Sequence, residues 1–98
     1  MKTTKIILKD IIDSALSNTD GVQLHAVLED ALKNNDSVVI SFQGIDVITT
    51  SFLNSSFGNL IDSYGLDVLS KIKLVNYTSS VASLIKQYIS NIRSLSNW

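Results

Sequence analysis

The chain has 98 residues, of which 45% are hydrophobic and 17% charged, enough for one hydrophobic core and too little for two ordinary domains. Its net charge of −1 argues against generic electrostatic binding to nucleic acid or anionic lipid, and the absence of cysteine excludes disulfides and thiolate metal sites. Every apolar run is shorter than the roughly 18 residues that span a bilayer, and no secretory leader pattern is visible. We therefore expect a single cytoplasmic domain over residues 1–98, with neither a membrane nor a nucleic-acid partner.

The charges are distributed unevenly along the chain. Residues 1–67 carry four lysines against nine acidic residues, a net charge of −5. Residues 68–98 carry no acidic residue and a net charge of +4, from Lys71, Lys73, Lys86 and Arg93. This positive pole is either ordinary surface variation or a face used on an acidic partner.

The first half of the chain predicts strand, helix and strand in that order. The β-branched stretch "TTKIILKD" predicts a strand over residues 4–8, followed by a short helical turn and a loop. In "GVQLHAVLEDALKNN" the apolar residues recur at spacings of three and four, which predicts an amphipathic helix capped by Asp20 or Gly21. The uninterrupted apolar run "SVVISF" predicts a buried strand, and Gly44 then permits a tight bend.

The second half predicts helix, strand and helix. Residues 51–64 form one apolar stripe, and Gly65 is a plausible residue to end that helix. The segment "IKLVN" predicts a third strand, and a wide apolar stripe predicts a last helix over residues 79–96, with Trp98 beyond it. Strands that alternate with helices predict an α/β fold: a small, mostly parallel sheet with helices packed on at least one face.

This topology draws attention to "TTS", where the central helix begins after a buried strand. Three interpretations apply to Thr49, Thr50 and Ser51. One of the hydroxyls, with Thr50 and Ser51 as the candidates, caps the helix; or one is phosphorylated at the positive end of the helix dipole; or one is catalytic. Gly58 lies inside the same helix and indicates close packing against the sheet, or close approach of a partner backbone.

Residues that would support an enzymatic reaction are missing or isolated. His25 is the only histidine and lies near the edge of an apolar stripe, without a triad or metal-ligand spacing around it. The glycines form neither a dinucleotide fingerprint nor a phosphate-binding loop. The carboxylate pairs are more typical of a solvated surface than of a general acid and base: Asp10 with Asp13, and Asp62 with Asp67. We expect no enzyme activity, no metal and no cofactor.

The stretch "SVVISFQGIDVITTSFLNSSFGNLI" resembles the signature of the STAS-like domains of unknown function, in which a buried strand and a glycine-containing turn precede a Ser-Phe-Leu-x-x-x-Phe-Gly helix. The motif residues here are Ser51, Phe52, Leu53, Phe57 and Gly58. The segments "TDGVQLHAVLEDAL" and "LSKIKLVN" are similar to the flanking helix and strand of that family. The resemblance therefore spans nearly the whole chain and implies a STAS-like fold.

That family is related in turn to the anti-sigma-factor antagonists of bacteria, which bind a kinase-like ATPase and are released by phosphorylation of a hydroxyl at this helix start. Their Asp-Ser-(Ser/Thr)-Gly-Leu motif aligns with "TTSFL", so the resemblance implies Thr50 as the phosphorylated residue and Ser51 as the next hydroxyl. Thr49 stands in place of the acid and Phe52 in place of the glycine. Ser55 stands where the nearer family commonly carries a glutamate, which removes the one carboxylate that would make the motif catalytic.

We therefore predict a non-enzymatic regulatory module that docks on a protein partner, a kinase-like ATPase or an anti-sigma-type protein. The predicted docking surface comprises Asp46, Thr49, Thr50, Ser51, Asn54 and Ser55. Two other functions remain open: a module that binds a small ligand or nucleotide at the same helix end, and a small subunit or antitoxin-like component of a two-protein system. We expect a monomer or a weak homodimer, the latter formed through the apolar face of the last helix with Trp98.

Overall fold

The computed structural model describes the backbone of residues 2–96 and the side chains through Arg93. Three parallel strands form one sheet in the order β1 (Thr3–Ile7), β2 (Ser37–Ser41) and β3 (Ile72–Val75). The register places Ile6 beside Ile40, and Ile40 beside Leu74. The predicted parallel sheet is therefore confirmed. Its strands follow one another in sequence order, so the strand order never reverses.

The helices lie between and after the strands. After β1 come the short helix α1 (Leu8–Ile11) and the long helix α2 (Asn18–Asn34). The central helix covers residues 50–64: an α-helical turn Thr50–Leu53, a π-helical segment Asn54–Gly58 and a final α-helical part Asn59–Tyr64. A 3-10 helix (Leu66–Lys71) precedes β3, and the C-terminal helix (Ser79–Ser96) follows it with the bounds predicted.

Burial along the strands shows which face of the sheet the helices cover. Val38 and Ile40 are fully buried, whereas Val39 between them is only partly buried. Lys5 and Lys73 flank Val39 in the register and are exposed. Side chains of a strand alternate between the two faces, so in the described residues the helices cover one face and leave the other partly open, apart from the buried Ser41 at the end of β2.

The core fills the space between the covered face and the helices. Its largest fully buried side chains include Phe42, Phe52, Leu24, Leu28 and Leu60. These come from β2 or its end, from the central helix and from α2, so the core depends on the predicted apolar stripes. Val81 and Ile85 of the C-terminal helix are buried in the same cluster, so the stripe of that helix is used for intramolecular packing.

Three details of the sequence interpretation are wrong. Helix α2 is capped by Ser17, whose Oγ accepts a hydrogen bond from the Asp20 N–H, and not by Asp20 or Gly21. The central helix is capped by Thr49 instead of Thr50 or Ser51. Gly58 lies against the hydroxyl of Tyr88 in the C-terminal helix and not against the sheet. Strand β1 also begins and ends one residue earlier than predicted, a shift within the usual uncertainty of element ends. Trp98 lies outside the described residues.

Candidate functional site

The predicted site lies where two chain segments continue side by side beyond the carboxyl ends of β1 and β2. Ala15 and Ile48 form an isolated parallel bridge, and the Thr49 N–H donates to the Ala15 carbonyl over 3.2 Å. Because α2 begins at Asn18 and the central helix at Thr50, this bridge brings the starts of the two helices together. The sequence placed only the second of these helix starts at the site.

Thr49 fixes the geometry of this junction. Its Oγ1 accepts a hydrogen bond from the Phe52 N–H (3.2 Å) and donates one to the Leu16 carbonyl (2.9 Å). An N-cap threonine normally satisfies one orphan N–H of the helix, and this one also bonds to a loop 33 residues away in sequence. The Thr49 hydroxyl is therefore occupied by structural hydrogen bonds.

The next two hydroxyls are in a different situation. Thr50 and Ser51 occupy the first turn of the central helix and are exposed. Within residues 2–96, neither hydroxyl forms a hydrogen bond that holds the helix start together. Since Thr49 already provides the cap, the side chains of Thr50 and Ser51 are exposed and not needed for it.

The predicted site residues further along the helix hold neighbouring elements in place. Asn54 is exposed, and its Oδ1 accepts a hydrogen bond from the Tyr88 hydroxyl of the C-terminal helix over 2.8 Å. Ser55 donates from Oγ to Asn18 Oδ1 over 2.9 Å, which links the central helix to the first turn of α2. Asp46 is exposed on the loop before the helix. Of the six predicted residues, Thr49, Asn54 and Ser55 are thus engaged in intramolecular side-chain hydrogen bonds, whereas Asp46, Thr50 and Ser51 are exposed without one to any described residue.

A close helix contact supports this arrangement. A Cβ atom added to Gly21 would lie 2.6 Å from the Phe52 carbonyl oxygen and 2.6 Å from Ser55 Cβ. Only a residue without a side chain allows α2 to approach the central helix this closely. Sequence reasoning treated Gly21 as a cap candidate and missed this role, because the neighbour of Gly21 lies more than 30 residues away in the chain.

Two apolar side chains beside the exposed hydroxyls were also missed. Leu16 is 49% exposed and Val47 is 65% exposed. Leu16 follows Ala15, and Val47 precedes Ile48, so the Ala15–Ile48 bridge places both next to the cap. In the sequence, each is an apolar residue inside a predicted loop: Leu16 in the loop before α2 and Val47 in the loop before the central helix. Exposed apolar side chains that border polar groups are typical of protein contact surfaces.

The two helix starts differ in charge. Helix α2 carries Asp20 in its first turn, and the Ser14 hydroxyl, which donates to Asp20 Oδ2 over 2.9 Å, is the main cause that lowers the pKa of this carboxyl. The first turn of the central helix has no acidic residue. The Asp20 carboxylate thus complements the positive end of the α2 dipole, whereas no acidic side chain does so in the first turn of the central helix, at Thr50 and Ser51.

The π-helical segment widens the helix directly behind these hydroxyls. The Asn59 N–H bonds to the Asn54 carbonyl five residues back, and the buried Ser56 hydroxyl donates to the Phe52 carbonyl over 2.7 Å. Single π turns occur preferentially at functional sites. Here the segment carries Asn54 and Gly58, which lie against the Tyr88 hydroxyl, so the C-terminal helix is connected to the start of the central helix.

The fold and this helix-start surface define a small parallel α/β module of the STAS type, as the resemblance implied. The chain belongs to the family of STAS-like domains of unknown function, whose family model matches residues 20–82. That range includes every predicted site residue and the start of the central helix, and it begins two residues after the start of α2, so it leaves out Leu16 and the α2 cap. No curated protein and no solved structure matches the chain.

Three further observations concern the described residues. Between residues 2 and 96, no group of three or more His, Asp or Glu side chains is arranged to hold a metal ion. Over the same stretch, none of the helices has the length and apolar character needed to cross a membrane. His25 is partly buried in α2, and its Nε2 lies 3.0 Å from Glu29 Oε1 one turn further along the same helix.

Proposed function

We propose that this STAS-like domain is a non-enzymatic interaction module that docks on a protein partner through the start of the central helix. The observation that carries the proposal is the combination of two exposed hydroxyls, Thr50 and Ser51, with the exposed apolar residues Leu16 and Val47. Apolar contact area supplies affinity, and the hydroxyls supply hydrogen bonds that a partner backbone or side chain satisfies. Asp46 lies at the rim of this surface.

The partner that the family relationship favours is a kinase-like ATPase. Phosphorylation of Thr50 or Ser51 would add about 1.5 to 2 negative charges at a helix start that has no acidic residue of its own. The helix dipole stabilises such a group, so the fold tolerates it. The same charge beside Leu16 and Val47 would require desolvation in an apolar contact, so the modified protein is expected to dissociate from its partner.

The docking surface is tested by affinity capture from native lysate. We expect the wild-type domain to capture an ATPase, and Leu16→Asp and Val47→Asp to lose it, because each places a charge in the contact. Tyr64→Asp is the matched control, since Tyr64 is 52% exposed but lies at the opposite end of the central helix. Equal capture by all four proteins would contradict the proposed surface.

The switch is tested separately with Thr50→Asp and Thr50→Ala, and by mass spectrometry of the peptide that contains Thr50 and Ser51 after isolation from the native cell. We expect Thr50→Asp to weaken capture and Thr50→Ala to retain it. If the native peptide is never phosphorylated, the switch is wrong, although docking through Leu16 and Val47 still stands. Nucleotides are expected to leave the melting temperature unchanged; a stabilisation of several degrees would favour a ligand-binding module instead.

A further inference from the structure

A second surface lies at the edge of the sheet formed by β3. Among residues 2–96 the sheet ends at β3, since the strand order is β1-β2-β3. The Val75 carbonyl accepts a hydrogen bond from the Phe42 N–H over 3.0 Å, so the peptide groups of Val75 point toward β2 and its extension. Because successive residues of a strand direct their peptide groups to opposite sides, the N–H and C=O of Leu74 point away from the sheet. An outward-pointing pair of this kind can bind an additional strand.

A groove of about 320 Å³ follows this edge between β3 and the C-terminal helix. Its floor is apolar and consists of Ile72 and Leu74 from the strand with Ala82 and Ile85 from the helix. Ile72, Leu74 and Ala82 are only partly buried, so part of their surface faces the groove. A strand placed along β3 would therefore cover apolar area in addition to pairing with the peptide groups of Leu74.

The rim of the groove is positively charged. Lys73 and Lys86 line it and are exposed, and no acidic residue contributes to its lining. Both belong to the segment 68–98, in which four cations are accompanied by no acidic residue. A second copy of this chain paired along the same edge would place the lysines of both copies next to each other, and the repulsion between these like charges is unfavourable. Charge complementarity selects an acidic occupant instead.

The alternation of side chains along β3 also determines which order of apolar and charged residues the docked segment needs. Ile72 and Leu74 belong to the helix-covered face, whereas Lys73 points to the open face. A strand that pairs with β3 follows the same alternation. Its side chains beside Ile72 and Leu74 meet the apolar floor, and those beside Lys73 meet a cation.

We propose that the free edge of β3 is a docking site for an extended segment of a partner protein in which apolar and acidic residues alternate. The segment adds a fourth strand to the sheet, places its apolar side chains against Leu74 and Ala82, and places its acidic side chains beside Lys73 on the open face, while Lys86 adds positive charge at the rim of the groove. This site is separate from the start of the central helix and independent of any modification there.

The test uses two synthetic peptides with acetylated and amidated ends, one of alternating Val and Glu and one of alternating Val and Lys. Both are titrated into the isotope-labelled domain and followed by NMR. We expect the Glu peptide to bind at least about tenfold more tightly than the Lys peptide, because only the former complements the rim. Binding should perturb the amides of residues 72–75 and slow hydrogen exchange at Leu74.

Charge reversal makes the test specific to this edge. The double variant Lys73→Glu/Lys86→Glu is expected to prefer the Lys peptide, and both side chains are exposed, so the fold should persist in circular dichroism. Lys5→Glu is the matched control, since Lys5 lies in the same register row at the other edge of the sheet. Its effect on the Glu peptide should stay within about twofold, as expected for a remote surface charge. An equal effect of Lys5→Glu, equal binding of the two peptides, or no binding at millimolar concentration would overturn the proposal.

Discussion

Thr49 shows how one side chain can hold two segments that are distant in sequence. Its hydroxyl accepts from the Phe52 N–H and donates to the Leu16 carbonyl, while its backbone N–H bonds to Ala15. Thr50, the residue that aligns with the phosphorylated position of the anti-sigma-factor antagonists, forms no part of this cap. The residue that stabilises the helix start is therefore different from the neighbouring residue whose hydroxyl is exposed.

This division gives a first prediction about single hydroxyls. Thr49→Ala removes the cap and is expected to lower the free energy of unfolding by about 1 to 2 kcal/mol. Thr50→Ala at the next position is expected to change it by less than about 0.5 kcal/mol, because the Thr50 side chain is exposed. Urea denaturation of both variants measures the difference. Thr49→Ser, which keeps the hydroxyl, should recover most of the loss; similar costs for all three variants would contradict Thr49 as the cap.

Gly21 gives a second prediction, in which the sign of the effect is informative. In a solvent-exposed helix, Gly→Ala stabilises by roughly 1 kcal/mol. Gly21→Ala is expected to destabilise instead, by about 1 to 3 kcal/mol, since the new Cβ would meet a backbone oxygen that cannot easily move. Thermal denaturation measures it, with Thr19→Ala on the exposed side of the same turn as the control. A stabilised Gly21→Ala variant would contradict the close contact between α2 and the central helix.

At the level of elements, the contact between the central helix and the C-terminal helix depends on Tyr88. Its hydroxyl lies over Gly58 and donates to Asn54 Oδ1 over 2.8 Å. Gly58 lies in the π-helical segment, and because glycine has no side chain, there is room for the tyrosine hydroxyl at this position. The glycine of the family motif therefore serves a contact between helices, and the helix that carries Thr50 and Ser51 is joined to the last helix of the fold.

The ionisation of Tyr88 gives a third prediction. Burial of the hydroxyl, and secondarily the charge of Asp62, raise the pKa of Tyr88 above its ordinary value of 10.0. The neutral form is favoured in the folded protein, so its contribution to stability is fully present below pH 10.0 and is lost as the pH rises toward the higher folded-state pKa.

We therefore expect the free energy of unfolding to fall more steeply above pH 10.0 for the wild type than for Tyr88→Phe. Tyr88→Phe itself should cost about 1 kcal/mol near neutral pH, the usual net value of one hydrogen bond. Chemical denaturation as a function of pH measures both effects. Tyr77→Phe, at a 48% exposed tyrosine, is the control, and parallel alkaline slopes for all three proteins would contradict the raised pKa.

For the whole molecule, the large exposed apolar side chains of the described residues are spread over several parts of the chain. The large exposed apolar side chains, Ile7, Leu16, Val22, Val47, Tyr64 and Tyr77, come from different elements. The apolar stripe of the C-terminal helix, which the sequence offered as a dimer interface, contributes Val81 and Ile85 to the core of its own chain.

The fourth prediction concerns the state of association. We expect a monomer in sedimentation velocity experiments at about 100 µM, because scattered apolar residues do not provide the roughly 800 Å² per partner of a stable interface. Lys73→Leu, which removes a charge from the free edge of β3, is expected to shift the protein toward association. A wild-type dimer at this concentration would contradict the prediction.

The sequence by itself determined the elements, their order and the family. Apolar spacing along a helix or strand reports local burial, so it predicted three strands, the stripes of the central and C-terminal helices, and a parallel sheet with helices. The motif from Ser51 to Gly58 identified the STAS-like family, which the match over residues 20–82 confirms. Asp46, Thr50 and Ser51 also lie exposed at the predicted helix start.

Only the tertiary structure decided which side chains act at the site. The Thr49 cap bonds to the Leu16 carbonyl, Gly21 is required because Phe52 and Ser55 approach it, and Gly58 faces Tyr88. Each of these contacts joins residues about 30 or more positions apart in the chain. Periodicity indicates that a side chain is buried but not which neighbour buries it, since the neighbour depends on how whole elements pack. The exposed pair Leu16 and Val47 and the free edge of β3 follow from the same packing.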